Sequence, residues 1–231
     1  MLNACKKLKV LLLSGVLAAT ALNASASAPE KIIMITHGLT SDPYWNTVKK
    51  GAMDAAKQMG VTFEYRTPPS FDMVQMANLI NAAVNQHPAG IIVTIPDANA
   101  LSGAIKNATA SGIPVISVDS GAEVSAKLGT LLHIGQPDYA AGKEVGERLK
   151  QIGQKKVICI NHEVGNTGLD DRCRGLKDGF GSDVKVLPTT ADFQQVKSNV
   201  SAALAQDPAI DTVVTLSAGQ AGEPAVVAAQ E

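Results

Sequence analysis

Short runs rich in β-branched residues recur along this chain at a near-constant interval, and that spacing limits the fold more than any other feature. The runs Ile32–Thr36, Val61–Tyr65 and Gly90–Ile95 begin 29 residues apart, and Lys156–Ile160, Val184–Leu187 and Thr212–Leu216 begin 28 apart. Pro114–Val118 and the shorter Leu131–Ile134 lie between the two sets. The segments separating them have helical periodicity. Parallel neighbours require a crossover of about this length, usually a helix, so alternating strand and helix predicts parallel sheets covered on both faces. With right-handed crossovers, each half becomes a doubly wound α/β domain.

The helices carry their own start and stop signals. Trp45, Val48, Ala52, Ala56 and Met59 form an amphipathic stripe, preceded by Asp42 as N-cap and Pro43 in the first turn, and ended by Gly60. Asp72 with Gln75, and Asp192 with Gln195, have the spacing of capping boxes. The second of these precedes the stripe Phe193, Val196, Val200, Leu204. Leu169, Cys173, Leu176 and Phe180 mark the core face of another helix. The expected organisation is a leader over 1–26, a first α/β lobe over 27–136 and a second over 137–231. The second lobe has only three strand–helix units and is expected to be incomplete.

The leader reads as a cleavable secretory signal. Lys6, Lys7 and Lys9 precede the apolar run Val10–Leu22, and Ala24-Ser25-Ala26 fits the cleavage site. The run is shorter than the roughly 20 residues that span a bilayer. Its removal takes Cys5 with it and shifts the formal net charge of −1 by three lysines, to about −4. Two cysteines remain, Cys159 and Cys173. An oxidising compartment permits a disulfide between them, and two buried free thiols are the alternative. The lack of basic excess excludes a nucleic-acid footprint.

Ligands of open α/β sheets bind beyond the carboxyl ends of the strands. After the first strand that rule selects His37 to Trp45, including Asp42 and Tyr44. It also selects Asp97 after the third strand, Asp119 after the fourth, and Asn161 to Asn166 with the helix bearing Arg172 in the second half. Asp192 and Phe193 follow the next strand. Carboxylates and an arginine make strong directional hydrogen bonds to hydroxyls, and aromatic faces cover the C–H face of a sugar or cyclitol ring. Structural roles compete: Trp45 with the helix stripe, Asp42 with the cap, Asp119 with a turn, Arg172 with a solvated helix face and Phe193 with the core. Asp97 is assigned to capping, and His87 and His133 to structural or surface roles. There is no nucleophile elbow, phosphate loop or dinucleotide fingerprint. Cys159 and His162 do not make a closed zinc ligand set. No enzyme activity, metal or cofactor is expected.

Four stretches together carry a family resemblance: ITHGLTSDPYWNTVKKGAMDAAKQMG, GIIVTIPDANALSGAIKNATASGIPVISVDSG, HIGQPDYAAGKEVGERLK and CINHEVGNTGLDDRCRGLKDGF. The chain resembles the type I periplasmic sugar-binding proteins of ABC importers, the ribose-binding-like family. The resemblance implies two doubly wound domains that close on a sugar. It implies ligand roles for His37, Asp42, Tyr44, Trp45, Asp119, Arg172 and Phe193, with Ser217 at a position where the family often has an amide. Ser120 stands where ribose binders have a second arginine, and the loop 161–166 is more polar than theirs. A hexose or cyclitol is therefore as well matched as ribose. The family pattern runs about 80 residues further, so a chain truncated at its C-terminus is expected. The implied partners are a sugar or polyol and an ABC permease, with a monomeric, periplasmic protein and no nucleic acid. The alternatives are a sugar-sensing receptor of the same fold and a non-functional fragment; a repressor effector domain would need a helix-turn-helix in place of the leader.

Overall fold

A computed structural model describes residues 29–230. The leader expected over 1–26 lies outside the described residues. The elements run β1 (Lys31–Ile35), α1 (Pro43–Met59), β2 (Thr62–Arg66), α2 (Met73–Val84), β3 (Gly90–Val93), α3 (Ala98–Ala110), β4 (Val115–Asp119), α4 (Ala122–Ser125) and β5 (His133–Gly135). They continue with α5 (Asp138–Gln151), β6 (Val157–Asn161), α6 (Thr167–Phe180), β7 (Lys185–Pro188), α7 (Phe193–Gln206), β8 (Thr212–Thr215) and α8 (Glu223–Ala229). The strands make two sheets, ordered β2-β1-β3-β4-β5 and β7-β6-β8, in which every pairing is parallel.

Strand order follows from the handedness of the crossovers. From β1 to β2 the chain moves one way, and from β2 to β3 it moves back past β1. Right-handed connections therefore put α1 and α2 on opposite faces. On the α2–α3 face, Ile33, Ile35, Ile91, Val93 and Val115 pack against Met76, Ile80, Leu101 and Ile105. The second sheet repeats the logic with α6 and α7. Ile158 and Ile160 meet Val196 and Val200 of α7, and Cys159 on the opposite face meets Cys173, Leu176 and Phe180 of α6. Cys159 and Cys173 form a disulfide with a Cα–Cα distance of 5.8 Å. Its 14-residue separation corresponds to about 3 kcal/mol of loop-closure stabilisation. Met59 departs from the expected α1 stripe, for it is 70% exposed while Trp45 and Ala56 are buried. Periodicity sets the inward face of a helix but not how far its partner extends along it.

Helices α5 and α6 approach so closely that side chains are excluded from their contact. A Cβ on Gly142 would lie 2.0 Å from the Arg172 carbonyl oxygen, and one on Gly175 would lie 2.0 Å from the Tyr139 carbonyl oxygen. Gly146 and Gly179 meet Leu176 and Lys143 carbonyl oxygens at 2.2 and 2.0 Å in the same way. This contact brings the start of α5 against the first turns of α6. Gly142→Ala is expected to destabilise the protein by about 1–3 kcal/mol through overpacking. Gly51→Ala on α1, where an added Cβ meets nothing within 4 Å, is expected to stabilise by up to about 1 kcal/mol through helix propensity. Urea unfolding of both variants checks the contrast; equal effects would contradict the close contact.

Candidate functional site

A cleft of about 920 Å³ lies where the carboxyl ends of the two sheets face each other. The strand order reverses between β1 and β3 in the first sheet and around β6 in the second, and such reversal points open crevices for ligands. From the first lobe, His37, Asp42, Tyr44, Trp45 and Asp119 line the cleft; from the second come His162, Glu163, Asn166, Arg172, Ser217 and Gln220.

The first wall is built on the turn into α1. Asp42 caps this helix, its Oδ1 accepting the Tyr44 N–H at 2.9 Å. The Trp45 ring lies directly over the backbone of Gly38, where an added Cβ would come within 2.1 Å of it. Trp45 also makes edge contacts with His37 and Tyr44, with ring centroids 5.0 and 5.1 Å away. Tyr44 is exposed and donates its Oη–H to Asp119 Oδ1 at 2.8 Å. Asp119 ends β4 at φ +64, a left-handed conformation that Asp tolerates better than most residues. Burial pushes its carboxyl pKa up, opposed by the Tyr44 hydrogen bond and by the charge of Arg172. Burial and the Asp119 charge likewise push the Tyr44 phenol up.

The second wall begins at the N-terminus of α6. Arg172 Nε donates to Asp138 Oδ1 at 2.5 Å, and the Asp138 side chain is only 3% exposed. Gly168 makes room for this carboxylate, because a Cβ there would sit 2.6 Å from Asp138 Oδ2. Burial raises the Asp138 pKa, with Arg172 acting against it. The pair fixes the guanidinium at Nε and leaves the N–H donors of its two terminal nitrogens. Asn166 caps α6 through Gly168 N–H at 3.1 Å and donates from Nδ2 to Glu163 Oε2 at 2.8 Å.

Polar groups also join the lobes. Thr167 donates from both N–H and Oγ1 to the Pro96 carbonyl oxygen, at 2.8 and 2.9 Å. His37 Nδ1 lies 2.8 Å from Thr94 Oγ1, and its Nε2 lies 3.5 Å from Glu163 Oε2. Burial lowers the His37 pKa, partly offset by Glu163. Burial also depresses His162, to about 4.

The structure brings His37, Asp42, Tyr44, Trp45, Asp119 and Arg172 together. Phe193, also expected here, opens α7 after β7 and is not among the residues that line the cleft. Ser120 is buried but also absent from the cleft wall. Asp97 caps α3 through Asn99 and Ala100 N–H groups. The carboxyl-end rule selects the stretch that holds His162, Glu163 and Asn166, though the sequence assigns them no individual ligand roles. It gives no signal for Asp138, which begins a helix, and Gln220 follows β8 beyond the residues expected there.

A family model described as a periplasmic binding protein domain matches residues 32–231. The chain belongs to the periplasmic binding protein family. A ribose import binding protein of Haemophilus influenzae is 31% identical over 83% of this chain and 65% of that protein. The chain thus spans just under two thirds of the length of that relative. A carbohydrate transporter structure from Acidothermus cellulolyticus, in complex with myo-inositol, superimposes with a TM-score of 0.84 at 37% identity, covering 87% of this chain and 70% of that one. A periplasmic sugar-binding protein of an ABC sugar transporter from Legionella pneumophila follows with a TM-score of 0.79 at 30% identity, covering 84% and 73%. These relatives are binding proteins, not enzymes. No helix among the described residues is long and apolar enough to cross a membrane.

The depressed His162 pKa has a sign that can be tested. Because the folded protein holds this ring near 4 against an ordinary 6.5, the unfolded chain takes up the proton first, and stability falls as pH drops from 6.5 towards 4. That loss is on the order of 3 kcal/mol. His162→Asn is expected to escape it, so the variant gains on the wild type by about that amount from pH 7 to pH 4. Urea unfolding at several pH values measures this; a pH-independent difference would contradict a buried neutral ring.

Proposed function

We propose that this chain is an extracytoplasmic solute-binding protein that captures a sugar or cyclitol between its lobes and delivers it to an ABC permease. The observation carrying this reading is the opposition of an aromatic and carboxylate wall, Tyr44, Trp45 and Asp119, to an arginine wall, Arg172 held by Asp138. A polyhydroxylated ring uses both: its C–H face packs on the aromatic rings, and its hydroxyls donate to carboxylates and accept from the guanidinium. The ribose and myo-inositol named for relatives are rings of this kind. The signal-like leader fits export to the periplasm. The mechanism is capture and lobe closure without turnover. A dissociation constant near 1 μM corresponds to about −8 kcal/mol, tight enough to scavenge and weak enough to release.

Thermal unfolding against pentoses, hexoses and inositols tests the proposal. One class is expected to raise the midpoint by about 5–10 °C at a hundredfold excess over its dissociation constant. Asp119→Ala and Arg172→Ala are each expected to abolish that shift while melting cooperatively. A cooperative wild-type transition that no member of the panel moves would contradict the proposal.

A further inference from the structure

His37 stands where the two lobes meet, and each nitrogen of its ring faces a side chain of the protein. Strands β1 and β3 are neighbours, so the residues just past their ends, His37 and Thr94, come side by side where the strand order reverses. Thr94 is fully buried and His37 is 3% exposed. Trp45 and Phe71 flank the imidazole with edge contacts.

Counting protons fixes which ring nitrogen carries one. Thr94 Oγ1 accepts the His37 backbone N–H at 3.1 Å and lies 2.8 Å from Nδ1. A hydroxyl has one proton to donate, and Nδ1 is the one acceptor that Thr94 Oγ1 has among the described residues. Were Nδ1 protonated instead, the Thr94 proton would be buried without a partner, at the full cost of its desolvation. Burial keeps the ring neutral at neutral pH. The single ring proton is therefore on Nε2.

Across the junction, Nε2 lies 3.5 Å from Glu163 Oε2. Glu163 follows β6 and is held by its own lobe. Its N–H donates to Asn161 Oδ1 at 3.1 Å, and its Oε2 accepts from Asn166 Nδ2 at 2.8 Å. A proton on Nε2 turns the positive end of an N–H dipole towards this carboxylate. A lone pair there would set negative charge against negative charge, in a buried setting that strengthens the repulsion. The sign of the contact between the lobes thus depends on a hydroxyl on the far side of the ring.

We propose that Thr94, His37 and Glu163 form an interlobe latch, in which the Thr94 hydroxyl fixes the His37 tautomer so that an N–H, not a lone pair, meets the Glu163 carboxylate. Thr94 is then a positioning residue for lobe closure, although it does not line the cleft. His37 acts on the opposite lobe through Nε2 and has its Nδ1 taken up by Thr94. The latch's contribution to affinity rests on the sugar-binding reading above; the tautomer and the contact across the junction do not.

Imidazole nitrogen NMR at neutral pH tests the latch without a ligand. Wild type and Thr94→Ser are expected to show His37 with Nδ1 bare and Nε2 protonated, and Thr94→Val to lose that preference. Glu163→Gln is expected to move the Nε2 signal. A wild-type ring protonated at Nδ1, or an Nε2 signal indifferent to Glu163→Gln, would overturn the latch whether or not any sugar binds, and neither result depends on how well Thr94→Val folds. Isothermal titration with D-ribose, D-glucose, D-galactose and myo-inositol then reads closure. For the sugar that binds, Thr94→Val is expected to weaken affinity on the order of 3- to 10-fold, and Thr94→Ser by less than about 2-fold. In a Glu163→Gln background the Thr94→Val effect is expected to fall below about 2-fold, because the amide can turn either its oxygen or its N–H to the ring. A Thr94→Val penalty that is absent, or equal in both backgrounds, would overturn the latch and leave the sugar-binding reading intact. If no sugar binds the wild type while the NMR expectations are met, the sugar-binding reading falls and the contact between the lobes stands.

Discussion

Every strand in this protein is paired in parallel, and the rest of the architecture depends on that constraint. Parallel neighbours cannot be joined by hairpins, so each strand sends the chain across a helix before the next can pair. All carboxyl ends of a sheet consequently open on one side. The loops there, freed from the ladder, can hold polar side chains that a buried strand cannot. When two such sheets face each other at their carboxyl ends, their polar loops form one cleft. Asp119, His162 and Ser217 all follow or end a strand; their meeting is a product of topology.

The lobes themselves are apolar, but their junction is not. Each of the three buried apolar clusters stays with one sheet and its helices. Across the cleft the contacts are hydrogen bonds and charges: Thr167 to Pro96, and His37 beside Glu163. Hydrogen bonds exchange with water at a small net cost, about 1 kcal/mol each. Such a junction can part at small cost, whereas a shared apolar core would lock the lobes together. Rigidity is placed instead within the second lobe, where four glycines let α5 and α6 touch along their backbones and set Asp138 against Arg172. The guanidinium is thereby held in one position at the cleft, and in the proposed function that lowers the ordering cost of binding.

Much of this was legible in the sequence, because local chemistry and tertiary demand agree along most of the chain. The β-branched runs became strands with ends within one or two residues, and Asp42, Asp72, Asp97 and Asp192 cap helices as their spacing implied. The cleft residues of the first lobe lie within a short stretch of sequence or at a strand end, so one rule locates them. The second lobe was harder to read. Phe193 has the right composition for a site and follows a strand end, yet it does not line the cleft; which strand ends face the opposite lobe is not written in local sequence. The Asp138–Arg172 pair depends on glycine spacings in two helices acting together. Gly142 and Gly146, with Gly175 and Gly179, repeat every four residues, but only their contact in three dimensions shows which residues they bring together.

In the proposed function, one ligand is held by the carboxyl-end loops of both lobes at once. Hydrogen–deuterium exchange with and without saturating sugar measures this. Coordinated protection is expected of segments 37–45 and 117–121 from the first lobe and 161–172 and 216–220 from the second, with the outer helices unchanged. Protection confined to one lobe, or centred away from these four segments, would contradict it.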